Sequence, residues 1–163
     1  MRPAKHVIYG GMGAAALYPA LGADSLWFWS ASVLIDVDHY IDFVYHNHFV
    51  DLRIKSMFRY HAILSGWWEK PQFLNFELFH TIEFISLLCL LSWWTGSVAF
   101  LAITLGFIFH IALDLTALTL AGVPFIRAHS VTEYFIRKRL LARRGLDPAE
   151  LYREAVEKTK TTR

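Results

Sequence analysis

An all-α, polytopic membrane helical bundle of about four spans with cytoplasmic interfacial helices is the fold class this sequence predicts, and three observations predict it. Of 163 residues, 55% are hydrophobic and only 18% charged, below the roughly 25% usual in a soluble domain, and the mean hydropathy is positive. From Phe84 to Leu113 there is no Asp, Glu, Lys or Arg. The Lys and Arg residues, finally, gather in alternate connections between apolar runs. Near balance of 16 Lys+Arg against 14 Asp+Glu speaks against general nucleic-acid binding, and a single Cys89 excludes a disulfide framework or a cysteine-rich zinc site.

The first span is read at Val7 to Leu21, an uncharged run rich in Gly and Ala that suits close helix packing in lipid. It is read as a span rather than a cleaved signal peptide, because no small-x-small cleavage site precedes a soluble domain. A second candidate runs from Leu26 to about Tyr45. The third and fourth, near 79–94 and 97–122, form a hairpin about Trp93-Trp94-Thr95-Gly96-Ser97, where interface aromatics meet turn residues. Arg2 and Lys5 precede the first span, Arg53, Lys55, Arg59 and Lys70 separate the second and third, and ten Lys/Arg follow the fourth. Both termini are therefore expected in the cytoplasm. The rival reading is a soluble helical bundle with an unusually apolar core; the uncharged hairpin weighs against it.

Two units follow: a membrane-embedded bundle over 1–126 with an interfacial segment at 49–78, then a basic amphipathic helix and polar tail over 127–163. In the interfacial segment Val50, Leu52, Ile54, Met57 and Phe58 alternate with basic residues at near-helical spacing. Ser130 with Glu133 fits a capping box opening a helix that mixes Phe135 and Leu140 with Arg137, Lys138, Arg139, Arg143 and Arg144, a surface for anionic lipid. Asp147-Pro148 starts a last helix running into a tail expected to be solvated and frayed. His46 and His48 are expected in a solvated loop, and His129 on the surface.

The second span carries Asp36, Asp38, His39 and Asp42. Three aspartates near a helix centre cost about 7–10 kcal/mol on the insertion scale, against about 0.3–0.6 gained per Leu, Ile, Phe or Val. Either the helix ends near Asp36, or the carboxylates are compensated, and a divalent cation is the strongest compensation available. Ligands exist elsewhere: His110 and Asp114 at i,i+4, His80 and Glu83 at i,i+3, and His6 opening the first span. At 1.5 Å rise per residue, His39 and His110 each lie roughly 20 Å below the outer face and Asp114 about 25 Å, the level at which His6 and His80 enter from inside. All four sets thus fall in the cytoplasmic half of a core about 30 Å thick. Asp36 and His39, sharing a helix face, are the expected direct ligands, with Asp38 bridging two ions or orienting a histidine. Imidazole with carboxylate and no thiolate suits zinc first, then manganese or iron, as one or two ions.

In order, His6, Asp36-Val37-Asp38-His39, His80-Thr81, His110-Ile111-Ala112-Leu113-Asp114 with Thr116, and Gly122-Val123-Pro124 resemble the YdjM-like family of inner-membrane-associated metal-dependent hydrolases, over roughly residues 6–126. That family is distantly similar to zinc-dependent phospholipase C. The resemblance implies metal ligation by His6, Asp36, His39, His80, His110 and Asp114, and a bacterial or archaeal inner membrane. Typical members carry His-Arg-x-x-Thr-His-Ser before the third helix; this chain keeps His80 alone there, with Glu83 or His61 as the replacement ligand. The expected activity is hydrolysis of a phosphoester in a lipid or lipid-linked substrate at the cytoplasmic leaflet, with Asp38 or Glu83 as general base and Arg53 or Arg59 positioning the phosphate. The alternative is a non-catalytic membrane protein holding a structural or transported ion.

Overall fold

In the computed structural model, residues 3–161 are described; Arg2, Thr162 and Arg163, which entered the charge and tail arguments, lie outside them. Among these residues eight α-helices occur in the order α1 (Pro3–Leu21), α2 (Ser25–Leu34), α3 (Val37–His46), α4 (Ile54–Ser65), α5 (Ile82–Thr95), α6 (Val98–Leu120), α7 (Val131–Arg143) and α8 (Pro148–Thr161). Two-residue strands β1 (Asn75–Phe76) and β2 (Arg127–Ala128) pair in parallel. The protein is therefore mostly helical, as expected.

The chain forms two compact units, one of residues 1–36 with 78–124 and one of 37–77 with 125–163. This division differs from the expected boundary at 126. The segment 49–78 belongs with the C-terminal helices, and the second candidate span, 26–45, is interrupted at Ile35 and Asp36 and shared between the units. Its continuity as one helix is thus corrected. The reason is visible in the residues: after Leu34 the apolar run gives way to Asp36, Asp38 and Asp42, and the helix ends there, the first of the two expected outcomes for this acidic stretch.

In the first unit, α1, α2, α5 and α6 pack together. Gly10 and Gly13 let α1 lie close to Ser32 and Phe28 of α2, and Gly106 of α6 sits against the Phe28 carbonyl and Ala31. Ala14, Phe28 and Ala102 form the buried core, with Leu17, Leu21, Leu105 and Phe109 around them. Pairings of residue 10 with 32 and 13 with 28 make α1 and α2 antiparallel. The Thr104 hydroxyl donates to the Leu88 carbonyl across the α5–α6 hairpin. That hairpin turns at Gly96, whose φ of +62° is the left-handed conformation glycine adopts without steric cost. Ser97 then caps α6, its Oγ accepting from the Phe100 N–H.

Among the described residues one helix, α6, is long and apolar enough to cross a membrane; its 23 residues extend about 35 Å. Only 28% of its apolar window is buried, and Trp93, Trp94, Leu101, Ile108 and Leu115 of the hairpin are exposed.

The second unit has its own core: Phe43 and Val44 of α3, Met57, Tyr60 and Leu64 of α4, Phe73, and Leu151, Tyr152, Ala155 and Val156 of α8. The expectation of a frayed tail is corrected here. Asp147 Oδ1 accepts from the Ala149 N–H to start α8, and apolar residues at i, i+4 and i+5 then turn one face of the helix into the core. Helix α7 opens at the expected cap, Ser130 Oγ accepting from the Glu133 N–H at 2.9 Å while the Glu133 carboxylate accepts from His129 N. It buries none of its side chains.

Candidate metal centre

Five of the expected site residues meet in the first unit. His6 comes from the first turns of α1, Asp36 from just beyond α2, His80 from the 3-10 turn at Leu78–His80, and His110 and Asp114 from successive turns of α6. His6, His80, His110 and Asp114 are buried, and the Asp36 side chain is 20% exposed. His6 Nε2 lies 3.2 Å from Asp114 Oδ1, and His110 Nε2 lies 3.3 Å from Asp36 Oδ1 and 3.8 Å from Asp114 Oδ2. The His6 and His110 rings stack at 3.9 Å, with His80 edge-on to His110 at 5.2 Å.

His110 has its orientation set from behind: Nδ1 stands 2.8 Å from the Ser32 carbonyl oxygen, an acceptor only. The proton of the neutral ring is therefore on Nδ1, and the Nε2 lone pair faces the carboxylates of Asp36 and Asp114. An acceptor aimed at two acceptors in a buried place is unfavourable unless positive charge lies among them, as a metal ion or as a second proton on the ring. His6 adds to the case, since neither of its buried ring nitrogens has a hydrogen-bond partner among the described residues.

These residues fit a divalent cation. Ligand atoms of His6, Asp36 and His110 lie within 4.8 Å of one another, as do those of His80, His110 and Asp114. Donors bound at 2.0–2.1 Å around one tetrahedral zinc stand about 3.3 Å apart, close to the two shorter separations seen. Two carboxylates also balance a 2+ charge, and three imidazoles add none. His110 belongs to both triads, so the five side chains form one overlapping cluster.

Other expected site residues are placed elsewhere. His39 falls in the second unit, its Nδ1 3.3 Å from Glu77 Oε1. Asp38 is buried in the first turn of α3, in that same unit. Glu83 is exposed in the first turn of α5, where the helix dipole favours an acid. Arg53 is held by Asp51 through paired bonds of 2.9 and 2.7 Å, and its guanidinium keeps the Asp51 carboxyl well below the usual carboxylate range. Arg59 lies half-buried on α4. His61 Nε2 sits 2.8 Å from the His39 carbonyl, and burial pulls its pKa down. His46 is not in a solvated loop: it ends α3, 3.0 Å from Asp42 and stacked on Tyr152. His48 is exposed beyond that helix, as expected.

One contributor to the centre, Ser32, and one buried ion pair of the second unit, Glu77 with Arg127, escaped the sequence reading. Ser32 acts through its backbone carbonyl, which leaves no mark on residue type. Buried Glu77 pairs with buried Arg127 at 2.6 Å across 50 residues of chain, and neither stands in a motif; the only hint was a lone acid beside an apolar run.

The first unit thus defines a helical protein with a buried His/Asp cluster able to hold a metal ion. No family model matches the chain, and no curated protein or solved structure is significantly similar to it.

Proposed function

We propose that this chain is a membrane-embedded, metal-dependent hydrolase of the YdjM-like kind, with about four membrane-crossing segments and both termini in the cytoplasm, acting on a phosphoester of a lipid or lipid-linked molecule at the cytoplasmic leaflet. The observation that supports this reading above the others is the His110 lone pair held by Ser32 against two carboxylates and beside His6.

His6, Asp36, His80, His110 and Asp114 hold the ion, zinc by donor type, with manganese and iron as the other candidates. A divalent cation in such a cluster lowers the pKa of water and polarises a phosphoryl oxygen. The protein's own part is to orient and to exclude water. Ser32 fixes the His110 ring, the α1–α2 contact at Gly10 brings His6 into range, and Asp36, the most open of the five, marks the side on which substrate and water enter. There Asp36 is the group placed to take a proton from the attacking water.

Elemental analysis of the detergent-purified protein tests the metal. Wild type is expected to carry zinc, manganese or iron at close to one equivalent, and His110→Ala and Asp36→Ala to lose most of it. A well-folded wild type without metal overturns the reading. Metal-loaded wild type that cleaves no phospholipid or lipid phosphate, while both variants unfold more readily, would assign the ion a structural role instead.

A further inference from the structure

We infer that the loop joining α3 to α4, residues 47–53, is a wedge that seats in the headgroup region of an anionic bilayer. The inference rests on the membrane reading of the chain and adds the contact through which the second unit meets lipid.

The loop is built to hold apolar side chains outward. His48 and Phe49 both have left-handed backbone, with φ of 59° and 62°, a conformation costly for a bulky residue and kept only where the surroundings impose it. Asn47 imposes it. Its buried amide donates to the Phe43 and Asp51 carbonyls and its oxygen accepts from the Asp51 N–H, while the Phe49 N–H donates to Val44 O. Tyr40 Oη adds a bond to the Leu52 carbonyl. At the tip Phe49 is 70% and Val50 78% exposed, flanked by exposed Tyr45, Leu52, Ile54 and Phe58. A loop with a rigid frame and a strained backbone that displays Phe and Val to water has its apolar tip for a surface, not for the core.

Charge selects that surface. The acids near the tip are covered by partners: the Asp42 carboxylate meets Tyr60 and His46, and the Asp51 carboxylate pairs with Arg53, leaving their side chains 9% and 11% exposed. Arg53 and Lys55 remain on the outside. The second unit as a whole carries 14 Lys/Arg against 10 Asp/Glu, and the first unit 2 against 4. An apolar tip on a basic unit matches an anionic interface, into which such groups sink by about 5–10 Å.

The test uses the full chain with Cys89→Ser and Val50→Cys, carrying an environment-sensitive fluorophore at position 50, in nanodiscs of phosphatidylcholine with or without phosphatidylglycerol. Blue-shifted emission quenched by a headgroup spin-labelled lipid, stronger with phosphatidylglycerol and absent for the same probe at Glu157→Cys, is expected. Phe49→Gly relieves the left-handed strain, so it is expected to keep or raise the melting temperature while weakening the quenching. Water-like, unquenched emission from a chain seated in anionic nanodiscs overturns this inference alone, and assigns the tip to another protein or to solvent. A chain that does not enter nanodiscs overturns the membrane reading with it.

Discussion

Replacing Gly106 with alanine perturbs the proposed centre without touching any of its five side chains. A Cβ there would stand 3.0 Å from Ala31 Cβ and closer still to the Phe28 carbonyl oxygen, where ordinary contact begins at 3.4 Å. Helices α2 and α6 must separate by at least about 0.4 Å to admit it, and by more to clear the backbone oxygen. Gly106 and Phe28 each lie one turn before the groups of the next contact, His110 Nδ1 and Ser32 O at 2.8 Å. The same displacement carries that bond to the limit of useful length. Overpacking costs about 1–3 kcal/mol, and the helix gains back about 0.5–1 kcal/mol from losing a glycine. Losing the group that orients a metal-binding histidine weakens affinity by about 10–100-fold. Zinc competition against a chromophoric chelator, with thermal unfolding in parallel, is the assay. Gly11→Ala is the control, since its Cβ meets only the Trp29 ring at 3.6 Å. Unchanged zinc affinity in a folded Gly106→Ala protein would refute the orienting role of Ser32.

Tyr152→Phe removes a buried hydroxyl that donates to the Leu74 carbonyl at 2.6 Å, and a loss of about 1–3 kcal/mol is expected in denaturant unfolding of the second unit, with metal content unchanged. His46 offers a pH signature. Burial pulls its pKa down, but hydrogen bonding and charge from Asp42 outweigh that and leave it above the ordinary 6.5. The raised value means the folded unit holds this proton more tightly than the unfolded chain, so its stabilisation is complete below 6.5 and is lost as pH rises through the folded value. Melting temperature should fall over that interval in wild type and less steeply in His46→Gln; equal slopes would deny the Asp42 pair any part.

Much of the local structure was legible because it depends on neighbours in sequence. The capping pair Ser130 and Glu133, the start of α8 at Asp147-Pro148 and the turn at Gly96 each follow from one or two residues and a backbone rule. Helix rise and alternating direction also led to the expectation that His6, His80, His110 and Asp114 come near one another, as they do, although the same argument had included His39. What misled was the run from Leu26 to Tyr45. Hydropathy describes composition along the chain, not whether one helix continues through it, and with the break at Ile35 and Asp36 the chain assigns Asp36 to the first unit and His39 to the second. The polar end from Lys158 misled for a related reason: α8 continues to Thr161, because Leu151, Tyr152, Ala155 and Val156, set among so many charges that mean hydropathy falls, mark a face that the α3–α4 core covers.

The sequence by itself determined the helical class, a wider inventory of four histidines and two aspartates as candidate ligands, and their order along the chain, because these depend on residue type and local periodicity. Only the tertiary structure decided which of the eight histidines converge, that a serine carbonyl aims His110, and that Glu77 pairs with Arg127. Those outcomes are set by contacts between residues tens of positions apart, where packing of small residues such as Gly10 and Gly106 fixes distances that no spacing in the chain encodes.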